Sequence, residues 1–262
     1  MNTYLLYYLV IIGFVFTSCV PTKDLIYLQN NNDSNQKEVI SQVVAKPYRL
    51  QVNDVITITI KAIDPKLVAM FSSTESALTQ KTDIGLYFDG YVVDDHGNIR
   101  IPILGELNVL GFTLEEVRET IEKKLLQEYF NRAADIFATV KLAGLHYTIN
   151  GEIASPGTKV LYKETVNILE AIANSGDITI TGNRKKVTII RQFPHGLEMH
   201  NIDLTDINAL QSPYYFIQPN DYIYIEPLKL KTWGTGTTGI QSLGTIISIL
   251  SLATTVFLLL KK

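Results

Sequence analysis

Apolar and polar residues alternate over several short stretches in the middle of the chain. Isoleucines at 56, 58 and 60 fall on one side of residues 55–63, and Thr57, Thr59 and Lys61 fall on the other. This period of two is typical of a half-buried β-strand. A similar alternation covers residues 136–142, and the sequence predicts a strand there too.

A turn signature and a capping signature divide these strands. Residues 91–93 and 99–101 flank the segment Asp-Asp-His-Gly-Asn and predict a hairpin in which Gly97 takes a positive φ. Thr113 and Glu116 have the spacing of a capping box, which predicts a helix that ends near Tyr129. Its expected inward positions are Leu114, Val117, Ile121, Leu125 and Leu126.

A second group of elements follows Gly144. Strands are predicted over 147–149, 186–191 and 222–225, with a helix from about Thr165 that ends at Gly176. The sequence therefore predicts an α+β fold with two domains, over 47–143 and 144–228.

The two predicted domains share a nine-residue pattern. Residues 48–56 and 215–223 both read Tyr-x-apolar-Gln-x-Asn-Asp-x-Ile, and both lead into a predicted strand. Asn and Asp favour tight turns, so the pattern indicates one structural device used twice. It is weak evidence for duplication.

The N-terminus has the pattern of an export signal. Residues 1–18 carry no charged side chain, and the apolar run over 5–16 is too short to span a bilayer. Small residues directly before Cys19 resemble the lipobox of bacterial lipoproteins. This resemblance implies removal of a signal peptide over 1–18, a diacylglyceryl group on Cys19, and a polar tether over 19–46. The alternative is a plain secretory signal or anchor in which Cys19 is incidental.

The C-terminus is a longer uncharged segment. A Gly/Thr hinge over 229–239 leads into residues 240–260, which as a helix would be roughly 31 Å long and is predicted to cross the membrane. Trp233, Lys261 and Lys262 are expected at the membrane interfaces. A helical wheel collects polar side chains on one side, at Gln241, Thr245, Ser248, Ser251 and Thr255.

Lipid chains offer no hydrogen-bond partners, so a row of hydroxyls is not expected on a helix that lipid surrounds on all sides. It suits a helix that packs against copies of itself or lines a water-filled ring, so these five residues are candidate pore-lining positions. The alternative is that Ser and Thr bond back to carbonyls of their own helix.

Composition and motifs argue against catalysis and against nucleic-acid binding. The 262 residues hold 23 Lys and Arg against 26 Asp and Glu, whereas nucleic-acid binders are normally basic. One cysteine excludes an intramolecular disulfide, and the four histidines lack metal-ligand spacing. The glycine pattern over 234–239 lacks the βαβ context of a dinucleotide site. We therefore expect no enzyme activity, no metal and no cofactor other than the lipid on Cys19.

Four motifs in order resemble one bacterial family. Residues 48–58 read Tyr-Arg-Leu-Gln-Val-Asn-Asp-Val-Ile-Thr-Ile, and residues 97–105 read Gly-Asn-Ile-Arg-Ile-Pro-Ile-Leu-Gly. Residues 149–157 read Ile-Asn-Gly-Glu-Ile-Ala-Ser-Pro-Gly, and residues 218–225 close the series. Together they resemble the outer-membrane polysaccharide biosynthesis/export (Wza-like) family, in which an export domain precedes a soluble-ligand-binding (SLBB) β-grasp domain. Asn53 and Asn220 stand where that family has glycine.

The resemblance implies a lipid-anchored ring of subunits in the outer membrane, with most of the chain in the periplasm. Such a ring would export capsular or exopolysaccharide through a barrel of C-terminal helices, together with an inner-membrane polysaccharide copolymerase that regulates chain length. The alternative function is a lipid-anchored periplasmic glycan-binding module whose tail is only an anchor.

Overall fold

The structure is a computed structural model, and it describes most of the chain between the two ends. The described residues are 21–30, 43–62, 89–130, 135–193 and 195–229, with 244, 247, 248, 250–252, 254 and 255 near the C-terminus. The described part holds two separate clusters of buried apolar side chains, one that includes Ile56 and one that includes Ile223.

The first domain joins a three-stranded sheet, a separate hairpin and a long helix. Strand β1 (Val55–Lys61) lies between β2 (Tyr91–Val92) and β5 (Phe137–Leu142), and both pairings are antiparallel. Strands β3 (Asn98–Ile101) and β4 (Gly105–Asn108) form the hairpin. The alternation along β1 buries Ile56 and Ile60, as the sequence predicts.

The turn after β2 forms, but the strands around it pair differently from the expected hairpin. The carboxylate of Asp94 accepts hydrogen bonds from the N–H groups of His96 and Asn98, and Gly97 has φ +79°. Strand β2 nevertheless pairs with β1, and β3 pairs with β4. The predicted turn is therefore confirmed, whereas the predicted pairing of its flanking strands is wrong because that pairing depends on partners distant in the chain.

Helix α1 (Leu114–Glu128) closes the first core. The predicted capping box is present: Thr113 Oγ1 accepts from the Glu116 N–H, and the Glu116 carboxylate accepts from the Thr113 N–H. Val117, Ile121 and Leu125 are completely buried, and each such side chain stabilises the fold by about 1.5–3 kcal/mol.

The second domain is built on a five-stranded mixed sheet. Its strands are β6 (Leu145–Gly151), β7 (Gly157–Leu161), β9 (Gly182–Phe193), β10 (Gly196–Ile202) and β12 (Tyr222–Pro227). They lie in the order β10-β9-β12-β6-β7, with β6 and β12 parallel and the other neighbours antiparallel. Tyr147, Ile149, Val187, Ile189 and Ile223 point from this sheet into the second core.

Helix α2 (Ile168–Asn174) begins later than the sequence suggests. Val166 and Asn167 form strand β8, which pairs with β11 (Phe216–Ile217). Asn167 then caps the helix, in a capping box with Glu170. The expected start at Thr165 is wrong because β11, about fifty residues away, holds the first two positions in an extended conformation.

Residues 21–30 are packed on the second domain. Leu28 and Gln29 donate backbone hydrogen bonds to the carbonyls of Leu204 and Thr205, and the Tyr27 hydroxyl donates to Asp177. Burial raises the pKa of Tyr27 to about 12, so this hydroxyl remains a donor at neutral pH. This part of the expected tether over 19–46 is therefore docked.

Candidate functional site

Two buried aspartates begin equivalent strands, one in each domain. Asp54 precedes β1 and Asp221 precedes β12, and their exposed fractions are 3% and 1%. Oδ2 of each carboxylate accepts from the backbone N–H three residues earlier, Gln51 at 2.8 Å and Gln218 at 2.7 Å. The repeated sequence pattern is therefore the same turn built twice.

Each turn contains an asparagine in the left-handed region. Asn53 has φ +71° and Asn220 has φ +66°, a conformation that asparagine tolerates better than most residues with a side chain. The Asn53 N–H donates to the Val93 carbonyl at 2.9 Å, and the Asn220 N–H donates to the His146 carbonyl at 2.7 Å. Asparagine can thus occupy the glycine position of the family motif, and each turn is tied to a neighbouring segment.

Replacing Asn53 by alanine is expected to lower the free energy of unfolding of the first domain by about 1–2 kcal/mol, because alanine tolerates the left-handed region poorly. Asn53→Gly is the matched control and should retain most of the stability. Urea unfolding of the purified protein followed by circular dichroism would measure both. An alanine variant as stable as the parent chain would contradict the role assigned to the turn.

The two aspartates differ in their remaining partners. Asp54 accepts from the Tyr48 hydroxyl at 2.7 Å, whereas Asp221 is bound by Arg191 through two hydrogen bonds of 2.8 and 2.7 Å. Arg191 also donates to the Phe216 carbonyl at 3.0 Å. The ion pair is almost inaccessible, with side-chain exposures of 5% and 0%, so its function is structural and positional.

Tyr48 lies near charged side chains of both domains. Burial raises the pKa of Tyr48, and the carboxylates of Asp54 and Asp221 raise it further while Arg191 lowers it. Burial also raises the pKa of Asp54, which hydrogen bonds from Gln51 and Tyr48 oppose. Tyr48 therefore remains a neutral hydrogen-bond donor at the junction of the two domains.

A cleft of about 950 Å³ separates the two domains beside this network. Its volume lies in the range of ligand pockets. Tyr214 forms part of one wall, with its ring stacked on His200 at 3.6 Å between centroids and the Arg191 guanidinium 5.3 Å from the ring centre. The lining also includes Tyr48, Arg49 and Glu116 from the first domain. These side chains can bind a polar ligand, but they form no nucleophile–base pair.

Two histidines contact the same carboxylate near the cleft. Nε2 of His195 and Nε2 of His200 each lie 2.7 Å from a different oxygen of Glu198, and these contacts hold the pKa of Glu198 below its usual range. The sequence placed the two histidines in a turn and beside a strand, without a shared partner. Within the described ranges no three His, Cys, Asp or Glu side chains are arranged to hold a metal ion.

The two ends of the described body meet at one pole. Pro21 and residues 226–229 line a smaller cavity of about 330 Å³ together with Asp24 and Asn183. The basic run that includes Lys185 and Lys186 has partners here: Lys185 Nζ lies 2.7 Å from Asp24, and Lys186 Nζ lies 2.6 Å from Glu226. The chain thus enters and leaves the folded body at the same place.

Part of the candidate pore face can be located. Ser248, Ser251 and Thr255 are exposed and helical. The hydroxyls of Ser248 and Thr255 donate to the carbonyls of Gly244 and Ser251, both at 2.8 Å, as the back-bonding alternative requires. The other predicted sites lie outside the described residues: Cys19, Trp233, Gln241, Thr245, Lys261 and Lys262.

The membrane-spanning helix predicted over 240–260 is not confirmed. Among the residues for which the structure gives a position, no helix is both long and apolar enough to cross a bilayer.

Sequence reasoning missed Arg191 and its pairing with Asp221. The repeated pattern singled out Asp54 and Asp221, but Arg191 is thirty residues from Asp221 and lies in a strand without any distinctive local motif. The signal for the turns was local, whereas the signal for the partner exists only in the folded sheet.

Part of the chain is similar to known proteins. Residues 42–143 match the model of the polysaccharide biosynthesis/export protein family. The chain is also 26% identical over 160 residues to the EPS I polysaccharide export outer membrane protein EpsA of Ralstonia solanacearum, which covers 58% of this chain and 41% of that protein. The corresponding protein of Ralstonia nicotianae is 25% identical over 166 residues, or 60% of this chain and 42% of the relative.

The chain spans about two fifths of the length of these relatives. The matched region contains β1, α1 and the Asn53–Asp54 turn, and it ends directly before the second domain. The resemblance noted in the sequence is confirmed, since residues 42–143 match the polysaccharide biosynthesis/export protein family and both relatives are polysaccharide export outer membrane proteins.

Proposed function

We propose that the protein is a non-catalytic subunit of an outer-membrane translocon that exports capsular or exopolysaccharide from the periplasm to the cell surface. Copies form a ring, the second domain is an SLBB-like β-grasp module, and the C-terminal helices enclose the passage. The observation that carries this proposal is the export-family match of residues 42–143. The names of the two relatives, both polysaccharide export outer membrane proteins, support it.

The convergence of the chain ends supports attachment to one membrane. Pro21 is two residues after Cys19, and Lys229 is the first residue of the Gly/Thr hinge. Because both line one cavity, a lipid on Cys19 and a helix over 240–260 could reach the same bilayer from one pole of the second domain. The first domain then lies toward the periplasm, where it would meet an inner-membrane copolymerase.

One observation favours the second candidate, a lipid-anchored glycan-binding module. The hydroxyls of Ser248 and Thr255 are satisfied within their own helix, so this helix needs no partner for them. A back-bonded hydroxyl still has acceptor capacity toward water or sugar, so the bond is compatible with a pore as well. If the protein is a glycan-binding module, the interdomain cleft is its glycan site.

An arginine on the candidate pore face separates the two functions. In a ring, Ser248→Arg places one positive charge per subunit at the same height in the passage, so export should fall at least tenfold or stop. Ser248→Ala is the matched control and should export normally. The measurement is surface polysaccharide on cells whose only copy of the gene carries the variant, with the amount of protein in the outer membrane determined in parallel.

The outcomes of this experiment divide clearly. Normal export by the arginine variant, at normal protein level, would support the anchor function and contradict the pore. Loss of export with a particle that still assembles would support the translocon. A subunit that migrates as a monomer after mild detergent extraction would contradict the ring.

A further inference from the structure

The sheet of the second domain has two unpaired edges. In the described part of the chain no strand pairs with the outer side of β10 or of β7. Exposed edges invite pairing, and natural proteins commonly protect them with lysine, proline or a short strand. Strand β10 has seven residues, contains neither lysine nor proline, and exposes Leu197 and Met199, each at 68%.

The two edges present matching side chains on one face of the sheet. Cross-strand partners share a face, and the row through Met199 runs across Ile190, Tyr222 and Thr148 to Thr158. The exposed apolar side chains of β10 and the neutral side chains of β7 are therefore on the same side. Adding the β7 edge of one copy to the β10 edge of another would continue this uncharged row.

The opposite face carries complementary charges. Glu198 lies across from Arg191, and Lys159 lies across from Tyr147, so both point to the face that holds the second core. When Met199 of one copy lies across from Thr158 of the next, Glu198 lies across from Lys159, so a carboxylate meets an ammonium group instead of a like charge. Both faces of the sheet thus favour the same arrangement.

Strand direction also favours this arrangement. Strands β10 and β12 have the same direction, β6 is parallel to β12, and β7 is antiparallel to β6. The two edges therefore have opposite directions. A rotation about an axis along the strands preserves every direction, so β7 of the next copy would meet β10 in antiparallel register, the more stable pairing.

We propose that β10 of each subunit pairs with β7 of the next, so that the second domains form one continuous sheet around the ring. The contact is head-to-tail, and it closes into a ring when the rotation between copies is a whole fraction of a turn. This inference rests on the proposed function, since it specifies how the copies of the translocon are joined.

Cysteine pairs placed on the two edges test the inference in the full-length protein. Neighbouring strands are about 4.8 Å apart, so the edges of one sheet are separated by four spacings, about 19 Å, which a disulfide cannot bridge. A bond between Met199→Cys and Thr158→Cys, or between Met199→Cys and Val160→Cys, must therefore join two chains. Met199→Cys with Lys159→Cys is the matched control, because Lys159 points to the other face.

The variants would be oxidised in isolated outer membranes and separated by non-reducing electrophoresis. At least one same-face pair should give a ladder of dimers and higher species, while the control pair, each single variant and the parent chain with Cys19 should remain monomeric. A ring particle without any ladder would overturn the edge pairing and leave the translocon intact. Dimers from Met199→Cys alone would show β10 against β10 and would overturn it as well. Absence of a ring in the parent chain would instead count against the proposed function.

Discussion

Replacing Arg191 by methionine should lower the free energy of unfolding of the second domain by about 3–5 kcal/mol. The change leaves the Asp221 carboxylate buried, with the Gln218 N–H as its remaining hydrogen-bond donor in the described structure. It also removes the donor to the Phe216 carbonyl, which belongs to the β11 strand beside the cleft. Urea unfolding of the detergent-purified protein, followed by circular dichroism, measures the loss.

The loss should depend on pH in a defined direction. Burial raises the pKa of Asp221, while Arg191 lowers it, so without Arg191 the folded-state pKa lies further above the unfolded-state value of about 3.9. The folded variant then binds a proton more tightly than the unfolded chain, and its stability falls as pH rises through the folded-state pKa. The loss of unfolding free energy caused by Arg191→Met should therefore be smaller at about pH 4.5 than at about pH 7.5.

A double variant separates the buried charge from lost packing. Arg191→Met with Asp221→Asn removes both charges, and it should recover part of the stability and lose the pH dependence. If the double variant is as unstable as Arg191→Met alone at both pH values, the uncompensated carboxylate is not the cause. In that case the contact of Arg191 with the Tyr214 ring would be the better explanation.

Elements with local signals were predictable from the sequence. The capping box at Thr113 and Glu116 determines where α1 begins, and the alternation at 56, 58 and 60 identifies β1. Both signals depend on residues that are close in the chain. The Asn-Asp turns were also found in this way, because a turn is completed within four residues.

Elements stabilised by distant partners were not predictable. Strand β7 was missed because its residues Gly-Thr-Lys-Val-Leu lack alternation, and it is extended because it pairs with β6. Strand β10 was missed because Leu197 and Met199 alternate toward solvent, which gives no core pattern. The cleft wall around Tyr214 and the Arg191–Asp221 pair depend on these same non-local contacts. The sequence therefore predicted the two Asn-Asp turns of the candidate site but not the side chains that surround them.

Alanine at Gly151 should be among the most damaging single substitutions in the second domain. Gly151 ends β6 with φ +94°, and a Cβ there would lie 2.1 Å from the carbonyl oxygen of Ile225 in the parallel strand β12. That oxygen accepts the Glu152 N–H at 3.0 Å, so it cannot move away without loss of the β6–β12 contact. Backbone strain and overlap together should cost about 3–5 kcal/mol.

Gly157→Ala isolates the overlap from the backbone strain. Gly157 also has a positive φ, +128°, but a Cβ there meets no atom within 4 Å. It should therefore lose only the strain of about 1–3 kcal/mol, and Gly151→Ala should be less stable than this control in the same urea titration. Equal losses of stability in the two variants would mean that the Ile225 carbonyl can move aside at little energetic cost. The parallel contact between β6 and β12, which joins the start and the end of the second domain, would then be more compliant than its hydrogen bonding indicates.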